Sequence, residues 1–122
     1  MDEHLKLPHD HTDAEKSRQI LEMMPSEEMI SGVADALKQL GDPSRLRIFW
    51  LLCHTEECVI DIASIVNMTS PAVSHHLRLL KTAGLITSRR SGKEMFYKAA
   101  DTLLAQTLHS TIEKIGEISC GI

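Results

Sequence analysis

Seven histidines and three cysteines carry most of the metal-binding chemistry in this chain of 122 residues. Two of the histidines, His75 and His76, are neighbours in the stretch TSPAVSHHLRLLKTAGLI. Adjacent histidines suggest a metal pair, but helical geometry opposes it. Consecutive helical residues point about 100° apart, so one ion cannot readily take both. Val73, Leu77 and Leu80 recur at i, i+4 and i+7 and mark the face this helix buries. His75 then falls on the outer side with Ser70, Ser74 and Arg78. His76 lies nearer the buried flank, where a hydrogen bond within the fold is expected. Ser, His and Arg side chains at the start of an exposed helix suit base edges and phosphates. Arg89, Arg90 and Lys93 follow in SRRSGKE and suit phosphates or the minor groove.

The elements that must position these residues follow from punctuation and periodicity. Residues 1–25 form a polar, His-rich tail with a possible short helix over Ala14–Met24, stopped by Pro25. Residues 26–122 form the folded domain. Ser26 is an N-cap followed by Glu27 and Glu28. Met29, Val33, Ala36, Leu37 and Leu40 give that helix a 3.6-residue stripe ending at Gly41. SRLRIFWLLCH is a second helix of the domain, and EECVIDIASIVN a third, short one. Ser70 caps the next helix and Pro71 is its first residue. LITSRR and KEMFYKA are strands about a Ser-Gly turn. Asp101 opens a last helix with Leu104, Leu108, Ile112 and Ile115 on one stripe. The fold class is therefore mainly α with a small β-hairpin wing, a winged helix-turn-helix. Apolar stripes left over on its first and last helices point to a homodimer.

Bulk properties narrow the function. The formal net charge is -4, yet residues 1–30 carry -5 and residues 69–98 carry +5. A basic face on an acidic protein is the footprint of an anion-binding surface. No apolar run approaches the roughly 20 residues of a membrane span. The polar start is not a signal peptide, so a cytoplasmic location with reduced thiols is expected. No nucleophile, base and orienting group recur at recognisable spacing, and there is no phosphate-binding Gly loop. An enzyme, or a small-molecule substrate, is not expected.

LKQLGDPSRLRIFWLL, ECVIDIA, SPAVSHHLRLLKTAGLI and RRSGKEMFYK, in that order and spacing, resemble the ArsR/SmtB family of metal-sensing bacterial repressors. The likeness runs from about Met29 to Leu108. It implies a homodimer on a palindromic double-stranded operator, released when an inducer binds. Sensor sites in this family differ in place, so each is matched residue by residue. One family site uses a CVC motif, at times with the partner's tail. Here Cys58 matches the first cysteine and Ile60 replaces the second. With His9 and His11 of the tail, Cys58 makes the first-choice set, whose donors suit Zn(II) or Cd(II). Another family site lies on the last helix and is mostly broken here. Asp101 matches it and Glu117 stands where it takes His or Glu, but Leu103 and Lys114 replace its histidines. His109 and Glu113, spaced i, i+4, offer with Asp101 a shifted second-choice set. Cys120 could complete either. No metal is needed for folding. Two alternatives remain. One is a thiol redox or persulfide switch using Cys58 with Cys53 or Cys120. The other is a winged-helix regulator without a working inducer site.

Overall fold

Short polar side chains start the helices. Ser26 Oγ accepts from the Met29 amide at 3.1 Å, Asp42 Oδ1 from Arg45 at 3.0 Å, Thr69 Oγ1 from Ala72 at 3.3 Å and Thr102 Oγ1 from Ala105 at 3.2 Å. Each satisfies one of the amides a first helical turn leaves without a partner. The computed structural model describes residues 8, 9 and 14–121, which fall into two units, one through Val33 and one from Ala34.

The first unit holds α1 (Ala14–Met23) and the start of α2 (Glu27–Gln39). None of the residues of these two helices is fully buried. The second unit continues with the end of α2, then α3 (Pro43–His54), β1 (Glu57–Cys58), α4 (Val59–Val66), α5 (Ser70–Thr82), β2 (Ile86–Ser91), β3 (Glu94–Ala99) and α6 (Leu103–Cys120).

Its core is built by α3, α4, α5, β2 and α6, with Tyr97 and Ala99 of β3 packed against it. Ile48, Phe49 and Leu52 of α3 meet Ile62 and Val66 of α4, Val73, Leu77 and Leu80 of α5, and Leu108 of α6. Ile48, Phe49, Ile62, Val73 and Leu80 are fully buried, and each such side chain contributes about 1.5–3 kcal/mol of apolar burial. Removing Phe49 to alanine would cost about 3–5 kcal/mol. The stripe expected on α5 is the face that packs. On α6 only Leu108 of the expected stripe is buried; Ile112 is partly so, and Leu104 and Ile115 are exposed.

Between α4 and α5 the chain turns at Asn67, which takes the left-handed conformation with φ 56°. Asn tolerates that region better than other residues with a side chain. The two helices and the following hairpin form a winged helix-turn-helix, as expected. The antiparallel sheet has three strands in the order β1-β3-β2, with Cys58 opposite Phe96 and Arg90 opposite Met95.

Four local expectations need correction. Thr69, not Ser70, caps α5, and Ser70 is its first helical residue. Proline fits anywhere in a first turn, because no amide there needs a carbonyl, so Pro71 does not fix the cap's position. Thr102, not Asp101, caps α6. Glu57 and Cys58 leave the expected third helix and pair with β3, a choice made by a distant strand. The hairpin loop is Gly92-Lys93, one residue beyond the expected Ser-Gly turn, because Ser91 still pairs with Glu94 and Gly92 supplies φ 65°.

Candidate nucleic-acid interface and metal-ligand cluster

Burial of Val73, Leu77 and Leu80 turns the opposite side of α5 outward. Ser70, Ser74, His75 and Arg78 are all exposed there. His75 Nδ1 lies 3.0 Å from an Arg78 amino group, so the two act as one polar unit. His76 does something else. Arg45 Nε donates to its Nδ1 at 3.4 Å, while the same guanidinium reaches the Gln39 carbonyl at 3.2 Å and side-chain oxygen at 2.9 Å. Partial burial lowers the pKa of His76, only partly opposed by the charge of Asp42. Asp42 itself is lowered, first by the backbone hydrogen bond from Arg45. The two rings are 5.5 Å apart between centroids and tilted by 58°, and their hydrogen bonds run to different arginines.

The wing's basic residues also divide. Arg89 grips Glu56 with two hydrogen bonds, 2.9 and 2.7 Å, and its guanidinium sits 5.1 Å from the Phe96 ring centroid. The pair holds the Glu56 carboxyl low and Arg89 high. Arg90 and Lys93 are exposed and make no ion pair among the described residues. Lys81, at the end of α5, donates to Ser88 Oγ of β2 at 2.6 Å and ties the helix to the wing.

The metal candidates are distributed as follows. Cys58 is buried, 5% exposed, at the N-terminus of α4, and makes no side-chain cap bond. His9 is exposed in the first unit, and His11 lies outside the described residues. Asp101 accepts from Gln106 Nε2 at 3.1 Å. It lines a surface depression with His109 and Cys53 but is not among the ligand atoms that cluster. His109 and Glu113 do come together, 3.0 Å from Nε2 to Oε1. The third member is His54, whose Nε2 is 3.1 Å from that of His109 and 3.7 Å from Glu113 Oε1. In the sequence His54 is only the last residue of the helix SRLRIFWLLCH. No local pattern could add it, since it is 55 residues from His109.

The thiols offer less. Burial pushes Cys53 up to about 11, with the charge of Glu113 adding to the effect, so it stays a thiol at neutral pH. Cys120 is exposed near the end of α6.

Against this geometry stand the similarities to known proteins. The family described as "Bacterial regulatory protein, arsR family" matches residues 42–88. The HTH-type transcriptional repressor SmtB of Mycobacterium tuberculosis is 33% identical over 93 residues, 76% of this chain and 69% of that repressor. A cadmium resistance transcriptional regulatory protein, the CadC homolog of Staphylococcus aureus, is 39% identical over 75 residues, 61% of this chain and 62% of that protein. Among solved structures, the homodimeric winged helix-turn-helix DNA-binding domain of a possible ArsR-family regulator from Mycobacterium bovis aligns with a TM-score of 0.69. It is 28% identical and covers 80% of this chain and 92% of that domain.

Proposed function

The chain belongs to the arsR family of bacterial regulatory proteins, and on that premise we propose that it is a homodimeric transcriptional repressor released from operator DNA by a transition-metal ion. The observation that carries the DNA half is the one-sided burial of α5. A helix anchored by Val73, Leu77 and Leu80 presents Ser70, Ser74, His75 and Arg78 outward as a rigid set. Such a helix enters a major groove, with Arg78 on guanine or phosphate and Arg90 and Lys93 of the wing on the backbone. Arg89 contributes mainly by holding the wing, since Glu56 already neutralises it.

Unclaimed apolar surface supports the dimer. Leu37, Leu104, Ile115 and Ile118 are exposed on α2 and α6. Leu37, Leu40, Leu46, Ile112, Ile115 and Cys120 line an apolar groove, a surface suited to a second copy. A dimer spaces two recognition helices about one DNA turn apart. Repression requires access to the chromosome, which places the protein in the cytoplasm, and no described helix is long and apolar enough to cross a membrane.

The metal half is supported by the cadmium resistance relatives and by imidazole and carboxylate donors suited to Zn(II), with the Cys58 thiolate the donor that would suit Cd(II). Of the two donor sets expected from sequence, only that around His109 has ligand atoms that cluster among the described residues. The thiol-switch reading is weaker, since Cys53 is protonated and Cys58 is buried. Gel retardation of the DNA upstream of the protein's own gene, with and without Zn(II) or Cd(II), tests the whole reading. A retarded complex that metal dissolves is expected. Failure to bind that DNA at low salt, or release by oxidant but by no metal, would sink it.

A further inference from the structure

After the DNA surface is accounted for, the densest remaining chemistry lies where the end of α3 meets the middle of α6. We infer that His54, His109 and Glu113 form a transition-metal site inside each protomer, taking a borderline divalent ion of the Zn(II) type. As a sensor, this site rests on the repressor reading above; as a metal site it stands on its own atoms.

Two imidazole nitrogens and one carboxylate oxygen are separated by 3.0, 3.1 and 3.7 Å. Ligands held about 2.0–2.1 Å from a tetrahedral ion stand about 3.3–3.4 Å apart, so the three atoms are spaced within a few tenths of an ångström of three corners of a coordination tetrahedron. Side-chain hydrogen bonds account for this convergence poorly. His109 Nε2 can carry one proton at most and faces two partners, and Glu113 has none to give when ionised. One cation satisfies all three lone pairs at once.

The supports are structural. His109 and Glu113 share a helix face at i, i+4. His54 is held by Trp50, one turn earlier, with ring centroids 4.3 Å apart. Its ring meets that of His109 edge-on at 4.8 Å. The side chains of His54, His109 and Glu113 are 44%, 26% and 51% exposed, so an ion can enter from solvent and a fourth position is open to water. Two nitrogens and an oxygen without a thiolate favour Zn(II), Co(II) or Ni(II) over the softer Cd(II).

None of the three donors comes from the tail, which separates this site from the Cys58 set; it keeps His109 and Glu113 of the second set and has His54 in place of Asp101. It also lies at the root of the wing. Just beyond His54, Thr55 donates to Glu57 at 3.0 Å, Glu56 holds Arg89 of β2, and Glu57 pairs with Tyr97 of β3. An ion that clamps α3 to α6 therefore acts on the strand that seats the wing.

The test uses the reduced, full-length protein. Zn(II) is titrated against a chelating competitor, Co(II) binding is followed by absorption, and Trp50, the single tryptophan, reports through its emission. One Zn(II) per protomer is expected, with a Trp50 response and a Co(II) spectrum lacking a thiolate charge-transfer band. His54→Ala, and Glu113→Gln at an exposed position that does not threaten folding, should each weaken Zn(II) at least 100-fold. The His9→Ala/His11→Ala double variant and Cys58→Ser should change it less than threefold. Unchanged Zn(II) affinity in both His54→Ala and Glu113→Gln, or a thiolate band, would overturn the site. The two readings fail separately. Zn(II) bound here without operator release defeats the sensor role alone, and release that persists undiminished in Glu113→Gln assigns sensing to another site while leaving the repressor intact.

Discussion

Two pairs of histidines in this chain invert the usual expectation. His75 and His76 are adjacent in sequence and share no hydrogen-bond partner: one joins Arg78 on the outer face of α5, the other accepts from Arg45 against the fold. His54 and His109 are 55 residues apart and meet nitrogen to nitrogen at 3.1 Å. The helix twist separates neighbours, and tertiary packing joins strangers. The arginines repeat the lesson, since Arg89 is spent on Glu56 while Arg90 beside it is exposed. A residue's role here follows its face, not its neighbour.

The largest test of this contrast is a double dissociation. His109→Ala should cost at least 100-fold in Zn(II) affinity, measured by competition, whereas His75→Ala should leave that affinity unchanged. Equal losses in the two variants would mean the adjacent pair binds metal after all. On the DNA side, Arg78→Ala should weaken operator binding by roughly 5- to 150-fold, the cost of one lost bidentate base contact. His75→Ala, which loses only the support of Arg78, should weaken it several-fold. Retardation titrations at fixed salt measure both.

A smaller effect separates the arginines. Arg90→Ala should lower the slope of log affinity against log salt by about 1, the signature of one lost phosphate contact. Arg89→Ala should change the slope less, because Glu56 already balances its charge. Equal slopes would place Arg89 on DNA.

The smallest concerns His76. Burial depresses its pKa in the folded protein below the ordinary 6.5, so below that pH the unfolded chain takes up a proton that the folded one resists. The resulting stability is complete above about 6.5 and is lost as pH falls toward the folded value. The drop in melting temperature between pH 7 and pH 5.5 should therefore be smaller in His76→Gln than in the wild type. A parallel drop in both would assign the acid sensitivity to other groups.

Much of the fold is legible from local pattern because its causes are local. The Val73, Leu77 and Leu80 stripe identifies the buried face of α5, and Asn67 marks the end of α4 by tolerating left-handed backbone. Cap positions slipped by one residue at Thr69 and Thr102, where two eligible side chains stand together and only backbone geometry chooses. Of the proposed metal donors, His109 and Glu113 are legible from helical spacing; Asp101, matched to the family's site on the last helix, accepts from Gln106 and lies outside the cluster.

Local pattern suffices for the helix order, the hairpin, the buried stripe of α5 and the outward set of Ser70, Ser74, His75 and Arg78. These depend on periods of 2 and 3.6 residues and on turn chemistry, which act within a few residues. Long-range packing alone brings Glu57 and Cys58 into a sheet, gives Arg89 to Glu56 and sets His54 beside His109 and Glu113. Each of these depends on where two distant segments come to rest. That is set by the shared core of α3, α5 and α6, which no local window of sequence contains.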